Sequence, residues 1–398
     1  MTISLEQLKQ EAEALKGQLI AVRRDLHAHP ELGFQEVRTA GVVANKLNEL
    51  GYEVQTGVGK TGVVGLVEGA RPGPGKTLLL RFDMDALPIT EEVDVPFKSQ
   101  NVGVMHACGH DAHTSVGLAV AELMMKHRDA WSGTAKFVFQ PAEEGVGGAL
   151  AMIADGVLND PKPDRALSMH VWSMTETGKI EMTDGPTMAA ADAFTIHVRG
   201  RGTHGAAPHQ GADPVVTAAQ IVLALQTIVS RNVDPLDQAV VTVGYIRGGT
   251  ANNVVPDVVE MGGTTRAFKD ELIVMMRERI TTIVEHTATA LGMTADVQFP
   301  KHFCPATVNN VDMAKVVRDT AKDLFGAANV GQEQRTMGAE DASHFLKAVP
   351  GAYVFVGAGN KAKGMNEPHH SPRFQIDEDA LPIATALMTA SAVRMLNE

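Results

Sequence analysis

The chain has 398 residues, a net charge of -12, and 44% hydrophobic and 21% charged residues, which predicts an ordinary globular protein of two domains. The acidic balance, without any basic run, argues against a nucleic-acid-binding surface. No uninterrupted apolar segment approaches the roughly 20 residues that span a bilayer, and the N-terminal residues lack the apolar core of a signal peptide. Two cysteines are too few for a disulfide framework. We therefore expect a cytoplasmic protein with reduced thiols, and neither nucleic acid nor a membrane as a partner.

Residues 1–184 and 301–398 have the pattern of one α/β domain. Apolar residues at spacings of three and four predict an amphipathic helix from Leu5 to Leu26, with Ser4 as its cap and Pro30 as its stop. A second helix is predicted over VVANKLNELG. Apolar runs of strand length follow, several of them separated by helical patterns: GVVGLVEG, KTLLLRFDMDA, TAKFVFQPAEE, RALSMHVW and GAYVFVGAG. This alternation predicts an open sheet covered by helices on both faces.

Residues 185–300 have a different pattern and predict a small domain inserted into the first. AFTIHVRGRG predicts a strand, DPVVTAAQIVLALQTIVSR a helix, and AVVTVGYIRGG and VVEMGGTTRAF two further strands. DELIVMMRERITTIVEHTATALG predicts a second long helix and TADVQFP a last strand. The order strand, helix, strand, strand, helix, strand is that of a ferredoxin-like α+β domain.

The segment MHACGHDAHTS combines a cysteine with three histidines and an aspartate. Cys108 and His110 are two residues apart, so both can bind one metal ion, and thiolate is a favoured ligand of zinc-like ions. The helix predicted directly after this segment would stabilise a thiolate, which suits a metal ligand or a nucleophile. A buried thiol beside surface histidines is the structural alternative. The segment alone therefore leaves its chemistry open.

Further polar side chains stand at or just past the ends of three predicted strands: Asp83 and Asp85, Glu143 and Glu144, and His170. Open α/β sheets place their functional sites at the carboxyl ends of strands. One glutamate of the pair can bind metal while the other acts as a general base on a metal-bound water. Because consecutive side chains of an extended backbone point in opposite directions, we expect the two glutamates to have different functions. The structural alternatives are a solvated loop pair, turn caps and a core histidine.

His369 and His370 lie in the turn-rich stretch NEPHHSPRF, where solvent exposure is the default. Taken together with the strand-end residues, they complete a set of one thiolate, several imidazoles and several carboxylates. Such a set is large enough to bind two divalent ions. In the inserted domain, glycines around His204 indicate a loop shaped for close backbone approach. Arg266 can fork onto a substrate carboxylate, with a surface salt bridge as the alternative.

Nine motifs, in this order, resemble one branch of metallopeptidase family M20: RRDLHAHPELGFQE, RFDMDALPI, MHACGHDAHTS, FQPAEEGVGGA, HVW, GRGTHGAAPHQGADPV, GGTANNVVPD, MGAEDASHF and HHSPRF. That branch contains hippurate hydrolases, N-acyl-amino-acid amidohydrolases and plant auxin-conjugate hydrolases. The resemblance spans nearly the whole chain. It implies a two-metal, aminopeptidase-like catalytic domain with an inserted ferredoxin-like lid or dimerisation domain, and a homodimer or homotetramer.

The resemblance also implies the metal ligands, with two divalent ions (Zn, Mn, Ni or Co) per subunit. Cys108 would bridge the two ions, His110 and His170 would bind one, and Glu144 and His370 the other. His370 is chosen over its neighbour because it directly precedes Ser-Pro, as one histidine does in the family's LHNP- or LHSP-like turn. The neighbouring histidine stands where leucine is common.

Other roles follow from the same resemblance. Glu143 matches the general base, and Asp85 matches an aspartate that orients a metal-binding histidine in the wider family. His204 matches the histidine that reaches the scissile carbonyl, often from a partner subunit. Asn252 and Arg266 match positions associated with holding the substrate carboxylate.

Three residues depart from the family pattern. Asp83 stands where the wider family has a metal-binding histidine. Phe82 replaces a frequent alanine and His344 a frequent tyrosine, so we expect both to alter the walls of the acyl pocket.

The reaction implied is metal-dependent hydrolysis of the amide bond of N-acyl or N-aroyl amino acids, which gives a carboxylic acid and a free amino acid. Dipeptidase or carboxypeptidase activity on small peptides is the alternative for the same site. Two rival classes are a cysteine hydrolase that uses Cys108 with His110 or His113, and a non-catalytic binding protein. The cysteine hydrolase leaves most of the proposed ligands without a function, and a degraded enzyme should have lost one of them.

Overall fold

The computed structural model describes residues 3–398. The chain divides into two compact units. Unit 1 comprises the residues up to Thr187, together with Val308–Arg335 and Asp341–Glu398. Unit 2 comprises Met188–Thr307 and the short segment Thr336–Glu340. The sequence placed the inserted domain at residues 185–300 and did not include a contribution from the later segment.

Helices and strands alternate through the described residues. The α-helices are α1 (Leu5–Ala14), α2 (Lys16–Ala28), α3 (Val37–Leu50), α4 (His110–Lys126), α5 (Gly148–Ala154), α6 (Pro214–Asn232), α7 (Asp270–Ala290), α8 (Val311–Phe325), α9 (Ser343–Ala348) and α10 (Ala380–Asn397). The strands are β1 (Glu53–Val58), β2 (Gly62–Glu68), β3 (Thr77–Asp83), β4 (Thr134–Gln140), β5 (Arg165–Glu176), β6 (Ile180–Glu181), β7 (Gly185–Met188), β8 (Ala190–Arg199), β9 (Thr203–His204), β10 (Ala239–Arg247), β11 (Val254–Val255), β12 (Val258–Ala267), β13 (Thr294–Gln298), β14 (Thr307–Asn309), β15 (Val330–Gly331) and β16 (Gly351–Gly359).

Unit 1 is built on an eight-stranded sheet with the order β1-β2-β4-β3-β5-β16-β6-β15. Its centre is parallel, since β3 pairs in parallel with β4 and β5, and β5 with β16. Strand β3 is buried on both faces. Leu78 and Leu80 enter the large core with α3, α4, α8 and α10, whereas Leu79 enters a smaller core with α5 and α9. The predicted open α/β sheet, covered on both faces, is confirmed.

The predicted first helix is two helices in the structure. Ser4 caps the first helix, as predicted, because the backbone N–H of Gln7 donates to the Ser4 hydroxyl oxygen. The helix is interrupted at Leu15, whose own N–H is shared between the carbonyls of Glu11 and Ala12. Sequence periodicity did not reveal this break because Leu15 keeps a right-handed helical backbone.

Unit 2 contains an antiparallel sheet with the order β10-β12-β8-β13 and the two helices α6 and α7. Alternate residues of β8, among them Phe194, Ile196 and Val198, enter its core. This strand order and helix placement confirm the predicted ferredoxin-like fold. Helix α6 is long and apolar enough to cross a membrane by length and composition alone. It packs Ile221 and Leu225 into the core of unit 2.

Candidate metal centre

The MHACGH segment turns at Gly109, so that Cys108 lies just before α4, whose first residue is His110. Gly109 has φ +91, and a Cβ atom there would lie 2.6 Å from Cγ2 of Val171. Glycine is therefore required between Cys108 and His110 by both backbone conformation and space. Cys108 is 9% exposed and His110 is fully buried.

Possible ligand atoms from unit 1 converge at this turn. Three groups each have their atoms within 4.8 Å of one another: Cys108, His110 and His170; Cys108, Glu144 and His370; and His110, Glu143 and Glu144. The first two groups contain all five ligands that the sequence predicts. They share the Cys108 thiol, and a thiolate between two ions is the arrangement that the resemblance implies.

The sequence predicted that His170 lies at the end of its strand. In the structure the strand continues past it. Strand β5 continues to Glu176 because it keeps pairing with β16, where Phe355 lies opposite His170. The pairing of β5 with β3 stops at Ser168, which lies opposite Arg81. His170 is thus two residues beyond the last β3 pair, and it reaches the carboxyl edge of β3 from the middle of β5.

Two of the histidines are oriented by backbone carbonyls. Nδ1 of His110 lies 2.9 Å from the carbonyl oxygen of Asp85, and Nδ1 of His170 lies 2.6 Å from that of Val171. Each ring therefore donates its Nδ1–H to the backbone and directs Nε2 into the site. Nε2 of His170 lies 3.5 Å from Sγ of Cys108. Nε2 of His110 is buried and makes no hydrogen bond in the described chain.

Carboxylates give this region a surplus of negative charge. Burial lowers the pKa of His110, but Asp83, Asp85 and Glu144 outweigh it and raise the pKa to about 10. Burial keeps the pKa of His170 well below its usual value, so this ring is neutral and can act as a ligand. Oε1 of Glu144 is buried without a hydrogen bond among the residues described. Bare lone pairs and surplus negative charge fit a pair of divalent cations.

A neighbouring group, Asp83 with His110 and His113, is also close enough to hold an ion. The Asp83 and His113 members of this group are already engaged in hydrogen bonds. Oδ1 of Asp83 accepts from Nδ1 of His113 at 2.6 Å, and Oδ2 accepts from Arg81 at 2.8 Å. Nε2 of His113 accepts the backbone N–H of Val171 at 2.9 Å. These hydrogen bonds fix the side chains beside the proposed ligands. They argue against Asp83 taking over the metal-binding role of the histidine that the wider family has at its position.

The two adjacent glutamates lie in a turn, so the expectation of an extended backbone is wrong. Ala142 has φ +51 and reverses the chain just before Glu143, which leaves both carboxylates near His110. Asp85 links the parts of the site. Its Oδ2 accepts the N–H of Glu144 at 3.0 Å, and its Oδ1 lies 3.3 Å from Nδ1 of His110. The orienting role predicted for Asp85 is consistent with these contacts.

His369 and His370 have different environments. His370, at φ +66, is 53% exposed and places Nε2 3.3 Å from Oε1 of Glu144. His369 is stacked on Trp172, and its Nε2 accepts the N–H of Ser173. That leaves the Nδ1–H of His369 to donate to Sγ of Cys108 at 3.8 Å. This geometry favours His370 as the ligand and gives His369 a contact with the thiolate that the sequence did not suggest.

Of the two pocket departures, only one lies near the site. Phe82 is 1% exposed and packs against Phe137 and Phe139 in the large core, so the expectation that it lines the acyl pocket is wrong. It faces the core because alternate residues of β3 point to opposite sides of the sheet. His344 places Nε2 3.6 Å from Oδ1 of Asp341.

The remaining predicted residues belong to unit 2. His204 is exposed on β9, opposite Val254, and its Nδ1 accepts the N–H of Ala206 at 3.0 Å. The next residue, Gly205, donates its N–H to the carbonyl of Asn253, so the loop that carries Asn252 lies beside that of His204. Arg266 is half-buried on β12, and burial lowers its pKa.

Comparisons with known proteins show the family to which the chain belongs. Residues 79–394 match the model of peptidase family M20/M25/M40. The chain is 40% identical over 397 residues to thermostable carboxypeptidase 1 of Saccharolobus solfataricus, which covers 99% of each protein. It is 37% identical to N-acetyl-L-cysteine deacetylase of Bacillus subtilis, over 100% of this chain and 92% of that protein. The crystal structure of Bacillus subtilis YXEP, a dinuclear metal binding peptidase, superposes with a TM-score of 0.83 at 33% identity, covering 96% of this chain and 99% of that one. The chain belongs to peptidase family M20/M25/M40.

Proposed function

We propose that this protein is a metal-dependent amidohydrolase that cleaves the amide bond of N-acyl or N-aroyl amino acids, in the manner of hippurate or N-acetyl amino acid hydrolysis. The observation that carries the proposal is the pair of ligand groups that share Cys108, with Glu143 beside them. The name of the relative N-acetyl-L-cysteine deacetylase supports this class of substrate. YXEP is described as a dinuclear metal binding peptidase, which supports two ions per site.

The ligands proposed for the two ions are Cys108, His110, His170, Glu144 and His370. Two divalent ions bound there supply Lewis acidity for the amide carbonyl and lower the pKa of water at the site. Zinc, manganese, nickel and cobalt all suit this mixture of sulfur, nitrogen and oxygen donors.

Glu143 is the proposed general base. Its Oε1 accepts the N–H of Asp341 at 3.0 Å, which orients the carboxylate for proton transfer. The Glu143 carboxylate takes a proton from the attacking water and returns it to the nitrogen of the leaving amino acid. The products are a carboxylic acid and a free amino acid.

His204 is the proposed donor to the oxyanion that develops on the substrate. Because its Nδ1 accepts the N–H of Ala206, the proton of the neutral ring is on Nε2, where it can be donated. Donors of this kind are worth roughly 3 kcal/mol each in the transition state. Asn252 and Arg266 are proposed to bind the carboxylate of the amino acid. We further propose that the protein is cytoplasmic and assembles as a homodimer or homotetramer.

The first test is metal content of protein purified without chelator, with hydrolysis of hippurate and N-acetyl-methionine before and after the metal is stripped. We expect about two ions per chain, loss of activity on stripping, and recovery with manganese or zinc. Metal-free protein that still hydrolyses both substrates would instead make Cys108 a nucleophile.

Two matched variants separate the adjacent glutamates. Glu143→Gln should keep both ions and lose about 10²- to 10⁴-fold in kcat, because only the base is removed. Glu144→Gln should lose metal as well as activity, because an amide is a poorer ligand for these ions. Full metal content and similar activity in both variants would contradict the assigned roles.

Carboxypeptidase or dipeptidase action is the second candidate, and the identity to thermostable carboxypeptidase 1 favours it. N-acetyl-methionine and glycyl-methionine form a matched pair, since they share the scissile amide and the leaving amino acid. The dipeptide differs by an ammonium group. A higher kcat/KM for N-acetyl-methionine supports the amidohydrolase, and the reverse supports the dipeptidase.

A further inference from the structure

Asp341 ties together the segments that surround Glu143. It is 6% exposed, and its backbone N–H donates to Oε1 of Glu143. Its own side chain is anchored on both sides of the glutamate turn. Oδ2 accepts the side-chain amide of Gln140 at 3.0 Å and the backbone N–H of Ala149 at 2.8 Å. The residue therefore holds the glutamate while being held by the residues before and after the turn.

The anchor continues into the sheet below the site. Oε1 of Gln140 accepts Nε of Arg81 at 2.8 Å, and Arg81 in turn donates to Asp83. Asp83 accepts from His113, as described above. The links up to the Asp341 side chain are buried hydrogen bonds, so each restricts the rotation of the next. The chain ends at the N–H that Glu143 accepts.

We propose that Asp341 is a positioning residue for the general base. Its carboxylate fixes the backbone N–H that orients the Glu143 carboxylate for proton transfer. The inference rests on the proposed function, because it assumes that Glu143 is the base. The two N–H donors also compensate part of the cost of burying this carboxylate.

The effect should fall on kcat. Without the anchor, the turn that carries Glu143 can shift by a fraction of an ångström, and a displaced base costs about 10- to 100-fold in rate. Metal binding should remain, because none of the proposed ligands contacts Asp341 in the hydrogen bonds described. KM should change little, because Asp341 is not proposed to contact the substrate.

The experiment compares Asp341→Ala and Asp341→Asn with the wild type, using N-acetyl-methionine and metal content. Asp341→Ala should lose about 10- to 100-fold in kcat with KM and metal content unchanged. Asp341→Asn keeps one acceptor oxygen and should lose less, and it carries the test if the alanine variant fails to fold. Asp155→Ala is the matched control, because Asp155 also accepts a backbone N–H, from Gly59 at 2.8 Å, outside the site.

A double-mutant cycle separates positioning from general structural damage. In the Glu143→Gln background the base is absent, so removing the Asp341 carboxylate should have no further effect on the residual kcat. An equal fold-loss in both backgrounds, or a wild-type kcat for Asp341→Ala, would overturn the inference. Failure of the proposed function has a different signature: Glu143→Gln would retain activity, or the wild type would hydrolyse none of the substrates.

Discussion

Unit 1 contains two buried polar clusters of similar composition and opposite character. The first is the metal centre around Cys108. The second, which we name the paired cluster, consists of Arg23, His27, Glu91, Asp111 and Glu378. In the paired cluster each charged side chain has a partner of opposite sign. Oδ2 of Asp111 accepts from Nε of Arg23 at 3.1 Å and from Nδ1 of His27 at 2.8 Å.

The metal centre is matched less completely, since three carboxylates, Asp83, Asp85 and Glu144, act on the one imidazole of His110. Among its proposed ligands, buried atoms of Glu144 and His110 make no hydrogen bond in the described chain. Burying negative charge is costly, and the paired cluster offsets that cost more fully than the metal centre does. Residue type and burial therefore do not distinguish a functional cluster from a structural one. The distinction lies in convergence, because the metal centre brings possible ligand atoms within 4.8 Å of one another around Cys108.

Breaking the paired cluster should give the largest effect on stability. Arg23→Met removes the guanidinium, keeps much of the volume and leaves Asp111 with one cationic partner fewer. Breaking a buried ion pair leaves the remaining charge buried without its partner. We therefore expect the free energy of unfolding to fall by about 3–5 kcal/mol. Urea denaturation measures the change.

Arg24→Met is the matched control for that experiment. Arg24 pairs with the same Glu378 at 2.6 Å, but its side chain is 45% exposed. Exposed ion pairs contribute about 0–1 kcal/mol. Equal destabilisation by the two variants would show that burial does not set the strength of these pairs.

The metal centre should respond to metal where the paired cluster does not. Cys108→Ala should change the stability of chelated protein by about 1 kcal/mol or less, because the cluster gains little from its own contacts. Zinc or manganese at 100 times the dissociation constant should stabilise the wild type by about 2.7 kcal/mol and leave Cys108→Ala unaffected. Thermal unfolding with and without metal measures this difference.

Cys304→Ala provides the control, because it removes the other cysteine, which lies in unit 2. It should keep the full stabilisation by metal. If Cys108→Ala were stabilised by metal as strongly as Cys304→Ala, the shared ligand groups around Cys108 would not be the binding site.

The sequence predicted features that depend on local spacing. Strand-end carboxylates and the CGH turn indicated a metal site, and periodicity indicated both folds. Sequence reasoning missed contacts between distant segments. Glu143 meets Asp341 across 198 positions and Arg23 meets Asp111 across 88, and no local pattern predicts such pairs. The turn at Glu143 was missed because alanine rarely adopts a positive φ.

The smallest expected effect is a pH dependence that belongs to the paired cluster. Burial lowers the pKa of His27, but hydrogen bonds with Asp111 and Glu91 outweigh it and raise the pKa above its usual value. The folded state therefore binds the proton more tightly than the unfolded state, whose histidine pKa is about 6.5. The stabilisation is complete below about pH 6.5 and is lost as the pH rises through the folded pKa of His27.

Urea denaturation of chelated protein between about pH 6 and 9 would measure this loss. It amounts to about 1.4 kcal/mol for each unit that separates the folded and unfolded pKa values of His27. His27→Gln should remove this part of the slope, and Glu91→Gln should reduce it, because one of the two carboxylates that raise the pKa is lost. An unchanged slope in His27→Gln would mean that His27 is neutral in the folded protein. Its two carboxylate contacts would then be ordinary hydrogen bonds, and the paired cluster would no longer differ from the metal centre in having every charge matched.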